Sequence, residues 1–591
     1  MVEKTIEIKQ GQVLSDILPN KEIPTNTILN KTLTGCGATY GEIVHAKRHS
    51  IIIEPNVPVI LGKKAEHPSL FAVYEGITKE DVKAFLAGEE DGFRKIITTP
   101  EGFDKKVLPA MYETHTPMYD DYFLLLDECE KTIQDVGYRG DIYLPVEDFF
   151  RFKNKAMVSA TPILPSDPRF EEQNFEMVRI APTYDYRRPL TLCVTNNTVR
   201  ILRKLLVRLK DETVCIFINS TDTILGLIQT LKLEGRCKVF CADKSVRKLK
   251  QQNFTDVSDR LSELAGVNFF YSAVDIKLDY KPHVIVLTDV FHAPYSMIDP
   301  QTEVVQAIGR FRNGIEQAYH ITNTCDRLQS VSRDKLFHNL ECQERIYNRI
   351  RELPIEGEIE HQTLTQALQG MDYKRFVTRT GNRNWFMWDN AWTDARLEAL
   401  YRSSATIEEE YKDAPFQLAV HKVDYDLTDE DRLRRTQAQI KGTTELWREV
   451  VEQIDRIQRQ NPDAEQTFLC EQLGDTFSEI IEAATILGKE RIGQLGYDRR
   501  RIKAALENVE ENRLMTSEKM QRAVYAKYNT GDLVLCSEIL GFLRGLITDN
   551  GIPFKGRVDR QIVKLFFEIA DDKPRIKGNK AYLLGKKMFE F

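Results

Sequence analysis

Short apolar runs alternate with helical patterns along the first half of the sequence, and they form two series. Near-continuous apolar runs of about four to seven residues are typical of strands buried on both faces, as in a parallel sheet. Between them lie helical patterns in which, for example, Ile201, Leu205 and Leu209 share one face. The alternation predicts two α/β domains, in which ligands bind beyond the carboxyl ends of the strands. The runs are 49–56, 95–100, 122–128 and 156–161 in the first series, and 189–195, 212–219, 237–243, 283–289 and 318–324 in the second.

Length and composition limit the class of protein. At 591 residues the chain is too long for a single core, so we expect about two to four domains. A net charge of −7 means that any nucleic-acid surface must be a local basic patch. No apolar run approaches the roughly 18 residues of a membrane span, and no signal-like segment opens the chain. The ten cysteines are scattered, which favours reduced thiols and a cytoplasmic location.

The segment 30–43, NKTLTGCGATYGEI, has the spacing of a phosphate-binding loop followed by a helix. Glycines in such a loop let backbone N–H groups approach phosphate oxygens, and the start of the helix favours an anion. The Thr39 hydroxyl is placed to hold Mg²⁺, whereas Ala38 stands where these loops carry a lysine. A Gly-rich turn is the alternative reading of this segment alone. The predicted nucleotide-binding residues of the loop are Thr34, Gly35, Cys36, Gly37, Ala38 and Thr39.

Three further motifs follow along the chain. LLLDECEK (124–131) ends an apolar run in Asp127, a candidate Mg²⁺ ligand, and Glu128, a candidate for positioning water. VSATP (158–162) ends the next run, and QAIGRFRNG (306–314) lies late in the second series. Arginine is suited to stabilising charge on a transferring γ-phosphoryl group. A buried small-residue strand and a solvated helix face are the plainer readings of the last two motifs, but the order of all four favours a nucleotide site. The predicted catalytic residues are Glu128, Gln306, Arg310 and Arg312.

Together these motifs resemble those of superfamily 2 helicases and translocases over roughly residues 25–330. The resemblance implies two RecA-like domains and aligns the loop, DECE, SAT (159–161) and QAIGRFR with family motifs I, II, III and VI. It also extends to helicase-like proteins of gut-bacterial phages and integrative elements. The looser matches are EPN (54–56) and TTPEG (98–102), which correspond to the nucleic-acid-contacting motifs Ia and Ib, FINST (217–221) for motif IV and 269–279 for motif V.

The resemblance implies ATP and Mg²⁺ as cofactors, with Thr39 and Asp127 holding the metal. It implies nucleic acid as the partner, with DNA preferred over RNA, in the cytoplasm of a bacterial or infected host cell. Protein partners in a replication or phage complex are also expected. The predicted function is ATP-dependent translocation on, or remodelling of, nucleic acid. The alternative is a weakly active or inactive scaffold that binds nucleotide or nucleic acid in a replication, packaging or defence complex.

Ala38 puts hydrolysis in doubt, because the family's loop lysine contacts the β- and γ-phosphates. Either the site is inactive, or another cation replaces the lysine. The second reading is favoured, because the acidic and arginine motifs are retained. Lys31, upstream in the same segment, is the first candidate, with a solvated surface lysine as the plain alternative, and Lys63 and Lys64 are the next candidates.

The second half is dominated by helical patterns such as 446–461. The aromatic stretch 382–394 could stack on bases, although a core contact is favoured, and 413–432 predicts a strand or hairpin followed by a helix capped near Thr428. Residues 553–591 carry ten Lys and Arg against five acids. There a helix, VDRQIVKLFFEI, followed by a hairpin turning at Gly-Asn predicts a winged-helix-like end that either grips phosphates or caps the fold. The predicted domains are 1–185, 186–335, a linking region 336–440 and a helical domain 441–591.

Overall fold

The computed structural model of the chain consists of two compact units, Met1–Tyr425 and Asp426–Phe591. The predicted fold class is confirmed: two parallel-sheet α/β domains of the RecA type precede a mainly helical C-terminal region. Among the described residues, no helix is both long and apolar enough to cross a membrane. The described residues are 1–88, 92–241, 247, 266–270, 276–355, 357–552, 554, 557–571 and 574–589.

The first sheet has eight strands in the order β1-β8-β2-β7-β6-β3-β5-β4, and every pairing in it is parallel. Side chains alternate across it, so that Leu124 and Leu126 enter one core and Phe123 and Leu125 the other. Helices on both faces bury these runs completely, which explains why the strands read as continuous apolar segments. The strands are β1 Val2–Ile8, β2 Thr27–Asn30, β3 His49–Ile53, β4 Phe71–Val73, β5 Lys95–Thr98, β6 Tyr122–Asp127, β7 Asn154–Ser159 and β8 Glu176–Pro182.

Within the described residues, the second sheet has seven strands in the order β11-β12-β10-β13-β14-β9-β15, again all parallel. Its edge strand β15 comes from the predicted linking region and pairs along the whole of β9. This sheet is therefore completed by a segment about 90 residues beyond β14 in sequence. The strands are β9 Arg188–Thr195, β10 Val214–Phe217, β11 Cys237–Phe240, β12 Val267–Phe270, β13 His283–Thr288, β14 Gln317–Thr322 and β15 Phe416–Val423.

Helices of the first unit connect these strands and cover both faces of each sheet. Among the described helices, most of the crossover helices are short, and the longest lie between β14 and β15. The α-helices that the structure describes in this unit are Leu14–Ile17, Ala38–Val44, Val57–Glu66, Lys79–Ala87, Pro100–Gly102, Leu108–Glu113, Met118–Asp121, Lys131–Gln134, Pro145–Phe149, Arg169–Glu172, Thr198–Arg208, Thr221–Leu231, Glu303–Gly309, Arg333–Arg351, Glu358–Gln369, Trp385–Leu400 and Ser404–Lys412.

The aromatic stretch forms helix Trp385–Leu400, which contributes to both sheet cores. Trp388 is fully buried, with its ring centroid 5.3 Å from that of Phe337, and Leu400 enters the core of the second sheet. Arg383 lies over the Trp388 ring and is ion-paired with Glu344. These contacts support the core reading of the stretch over base stacking. The domain limits drawn from the sequence stay predictions.

The second unit begins with a helical bundle and ends in a small antiparallel sheet. Thr428 caps its first helix with a capping box, as expected, and the apolar face of 446–461 is buried. The sheet pairs β19 with β16, β17 and β18. The helices are Asp429–Lys441, Thr443–Gln460, Gln466–Leu473, Ser478–Gln494, Arg499–Met515, Glu518–Lys527, Cys536–Asp549 and Arg560–Val563, and the strands are β16 Leu533–Leu535, β17 Phe567–Asp571, β18 Arg575–Ile576 and β19 Asn579–Lys587.

From Glu518 the elements run helix, strand, helix, helix, then a hairpin, which resembles the expected winged-helix arrangement. Two details of the prediction were wrong. The helix predicted over 558–569 ends at Val563, because the following apolar residues form β17 against β19. The hairpin turns at Lys577 and Gly578, both with positive φ, rather than at Gly-Asn.

Candidate functional site

The predicted phosphate loop connects β2 to helix Ala38–Val44. Gly35 and Gly37 have φ values of 75° and 90°, which glycine adopts without the strain that a Cβ would cause. The loop is supported from outside, because the Leu14 N–H donates to the Cys36 carbonyl at 3.0 Å. Thr39 is buried, and its hydroxyl donates to the Asp127 carboxylate. The backbone geometry therefore suits a loop that wraps an anion.

Lys31 brings an ammonium group to the acidic end of β6. Its Nζ lies 3.3 Å from Glu128 Oε1 and 3.6 Å from Asp127 Oδ1, and the side chain is buried. Glu128 itself has a φ of 50°, a sparsely populated conformation for a residue with a side chain. Such strained residues concentrate at functional sites. Of the two predicted readings of Lys31, a solvated surface lysine is wrong, because only 7% of the residue is exposed.

The charges at this end of β6 stabilise one another. Burial lowers the pKa of Lys31, but the Glu128 and Asp127 carboxylates outweigh burial and leave it above its ordinary value. Burial likewise raises the pKa of Glu128, but Lys31 and Arg310 outweigh it and hold the pKa below its ordinary value. Both groups therefore carry full charge at neutral pH. A cationic group next to a carboxylate is the arrangement that phosphate binding beside a metal site requires.

Gln306 joins three of the predicted motifs. Its Nε2 donates to Glu130 Oε1 at 3.2 Å and to Thr161 Oγ1 at 3.2 Å. Glu130 is fully buried, and burial together with the Glu128 carboxylate raises its pKa well above the ordinary value. Sequence reasoning did not single out Glu130, although it lies within DECE. The sequence feature that could have identified Glu130 as a site residue is its position two residues after Glu128 in the same motif.

Arg310 and Arg312 follow helix Glu303–Gly309 and reach the loop from the second sheet. A Cβ built on Gly35 would lie 3.0 Å from Arg312 Nη1, so the guanidinium rests directly on the loop. Arg310 is buried and lines the same cavity as Asp127. The cavity measures about 940 Å³. It therefore brings the loop, the acidic motif and both arginines together.

Glu54 was assigned by the family resemblance to a nucleic-acid-contacting motif, yet it lines this cavity. It follows β3, whose Ile53 pairs with Leu126, so it stands beside Asp127 at the carboxyl edge of the sheet. Burial and the nearby carboxylates raise its pKa to about 8. Glu54 and Asp127 stand at the carboxyl ends of neighbouring parallel strands, and this shared position could have placed Glu54 in the site from the sequence.

The other two candidate cations differ in position. Lys63 lines the cavity, whereas Lys64 Nζ donates to the carbonyls of Pro68 and Leu70, both at 2.7 Å. Lys64 therefore connects its helix to the segment that follows it. Part of the predicted motif V, residues 271–275, lies outside the described residues, as do Lys555 and Lys573 of the basic tail.

No protein-family model matches the chain, and no curated protein matches it. Among solved structures it is similar to S. cerevisiae Dbp5 bound to RNA and ADP BeF3, with 15% identity over 51% of this chain and 80% of that chain and a TM-score of 0.36. It is also similar to Mycobacterium smegmatis helicase Lhr bound to ssDNA and AMP-PNP, with 14% identity over 54% of this chain and 45% of that chain and a TM-score of 0.33. For the DUF1998 helicase MrfA bound to DNA and AMPPNP, the identity is 13% over 51% of this chain and 46% of that chain, with a TM-score of 0.35.

Proposed function

We propose that this chain is an ATPase of the superfamily 2 helicase type that translocates on, or remodels, nucleic acid. The observation that carries the proposal is the buried ammonium group of Lys31, 3.3 Å from Glu128 and 3.6 Å from Asp127. A buried cation costs free energy unless it is paired, and here it is paired at the edge of a nucleotide-sized cavity. Lys31 thus supplies the charge that Ala38 does not.

The donor set fits Mg²⁺ as well as ATP. Thr39 and Asp127 would hold the metal, which supplies charge neutralisation on the phosphates when bound. Mg²⁺ usually takes one or two protein ligands and completes its shell with water and phosphate oxygens, so a Thr39 and Asp127 pair is sufficient. Glu128 lines the cavity beside Asp127, a position that suits a group that orients a water molecule.

The two arginines complete the proposed mechanism from the second sheet. Arg310 and Arg312 would stabilise the charge that develops on the γ-phosphoryl group. Gln306 lies in the same motif as the two arginines and contacts Glu130 and Thr161. The position of the arginines therefore depends on the acidic motif of the first sheet. Closure of the two domains on ATP would then change the contacts that they make with a nucleic-acid strand. DNA as the polymer, a role in a phage or mobile element and a cytoplasmic location remain parts of the proposal that rest on the resemblance.

Phosphate release in the presence of Mg²⁺, with and without single- and double-stranded DNA, tests the proposal. Lys31→Ala should lower turnover on the order of 10²-fold, the loss expected for one electrostatic group. Ala38→Lys should not raise it, because the site already holds its cation. Lys83→Ala is the matched control, since Lys83 is paired with Glu113 on the exposed surface. Thermal unfolding of each variant separates loss of activity from loss of fold.

Two results would change the conclusion, and a third would support it. An inactive wild type with every nucleic acid tested would favour the scaffold over the motor. A fully active Lys31→Ala would exclude Lys31 and direct attention to Lys63. A Lys31→Ala protein rescued by Ala38→Lys would support the replacement directly, because the charge would return to the position that the family uses.

A further inference from the structure

The lining of the cavity combines two kinds of residue. It includes the charged groups and the loop of the proposed function, and it also includes apolar and aromatic residues from both sheets' domains: Tyr40, Pro58, Val59, Leu278 and Tyr280. A nucleoside triphosphate combines the same two chemistries, in an anionic phosphate chain and a flat base. The volume of about 940 Å³ accommodates a ligand of this size.

Tyr40 is the residue after Thr39 in helix Ala38–Val44, and both residues line the cavity. It is 47% exposed although it lines the cavity. The ring is held from two sides, with its centroid 5.6 Å from that of His45 and 5.5 Å from that of His67. The interplanar angles of 73° and 56° are those of edge and tilted contacts, the geometry that aromatic rings favour. Tyr40 is thus positioned by its neighbours without being buried by them.

We infer that Tyr40 is the stacking platform for the base of the bound nucleotide. Tyr280, 44% exposed, lines the same cavity from the second sheet's domain. Base–aromatic stacking uses the π-face that every base has, so it sets the affinity for a nucleoside over a bare phosphate chain and not the choice of base. This inference rests on the proposed function, because it concerns the same nucleotide.

Binding of two ligands, ATP and inorganic tripolyphosphate, each with Mg²⁺, tests the inference by titration calorimetry. Tyr40→Ala should weaken ATP binding roughly 5- to 100-fold, the range of one stacking contact, and leave tripolyphosphate binding unchanged. Tyr40→Phe keeps the ring and should bind both ligands as the wild type does. Tyr138→Ala removes a tyrosine that is 79% exposed and does not line the cavity, so it should change neither affinity.

The outcomes separate this inference from the function on which it rests. If Tyr40→Ala binds ATP as tightly as the wild type, or weakens both ligands equally, the base does not stack on Tyr40, while the proposed nucleotide site survives. If the wild type binds neither ligand, both proposals fail. A selective loss of ATP affinity in Tyr40→Ala, restored in Tyr40→Phe, supports the stacking platform.

Discussion

The side chain of Thr34 occupies the space that any side chain at position 309 would need. A Cβ built on Gly309 would overlap Thr34 Cγ2 and would lie 2.7 Å from Thr34 Oγ1. The phosphate loop of the first sheet and the arginine motif of the second are therefore in direct contact. This contact sets how closely Arg310 and Arg312 approach the loop.

Gly309→Ala should reduce ATP turnover by about 10- to 100-fold, since small displacements of catalytic groups have effects of this size. The φ of Gly309 is not in the left-handed region, so the contact with Thr34 is what the substitution disturbs. Gly226→Ala is the control, because a Cβ there meets nothing within 4 Å. It should retain activity and gain about 0.5–1 kcal/mol of stability in its helix. Steady-state phosphate release measures both variants. Equal activity in the two would contradict the proposal that the Thr34–Gly309 contact positions the arginines.

Glu128→Gln should slow hydrolysis by about 10²- to 10⁴-fold while ATP still binds. The reason is that a group orienting the attacking water acts mainly in the transition state. Single-turnover hydrolysis and equilibrium binding of ATP measure the two effects separately. Glu113→Gln, which removes an exposed carboxylate paired with Lys79 and Lys83, should change neither. A parallel loss of binding and hydrolysis in Glu128→Gln would assign Glu128 to holding Lys31 instead.

Asp389 should make the stability of the first unit depend on pH. Burial raises its pKa to about 6, from an ordinary 3.8. Its contribution is therefore fully present below about pH 4 and is lost as the pH rises through about 6, a change on the order of 3 kcal/mol. Asp389→Asn removes this dependence and keeps an acceptor for the Ser166 N–H. Measured between pH 4.5 and 7, the free energy of unfolding of Asp389→Asn should increase relative to that of the wild type as the pH rises.

An exposed acid supplies the control for that comparison. Asp211 is 84% exposed at its side chain, and Asp211→Asn should follow the wild-type profile throughout. Parallel profiles for the wild type and Asp389→Asn would show that the Asp389 carboxyl is ionised at all of these pH values.

The hairpin of the second unit should contact phosphates through its exposed lysines. Replacing Lys577 and Lys580 with Gln should weaken DNA binding and reduce the salt slope by about 2, since each phosphate contact adds nearly one to it. Lys587→Gln is the comparison, because this lysine donates to Asn529 and lies over Tyr525. Lys587→Gln should lower the stability of the second unit and leave the salt slope of DNA binding nearly unchanged. Fluorescence anisotropy at several salt concentrations makes the measurement, and an unchanged slope in the double variant would assign the hairpin to structure alone.

Local patterns were sufficient for much of the fold. Apolar runs such as 122–128 predicted buried strands, because a strand covered on both faces needs apolar residues at successive positions. The phosphate loop was visible for a similar reason, since its glycines are dictated by backbone geometry within a few residues. The capped helix at Thr428 also depends on neighbours three positions apart. Each of these features is decided by short-range chemistry that the sequence shows directly.

Contacts between distant segments required the tertiary structure. The ion pair of Lys31 with Glu128 joins residues 97 positions apart, and the Gln306–Glu130 hydrogen bond joins residues 176 positions apart. Whether Lys31 was a surface lysine or a buried cation depended on which strands lie side by side. The same applies to β15, which the second sheet recruits from the predicted linking region, and to the change from helix to strand at Phe567. Sequence determined which groups were available, and the packing of parallel strands decided which of them share a site.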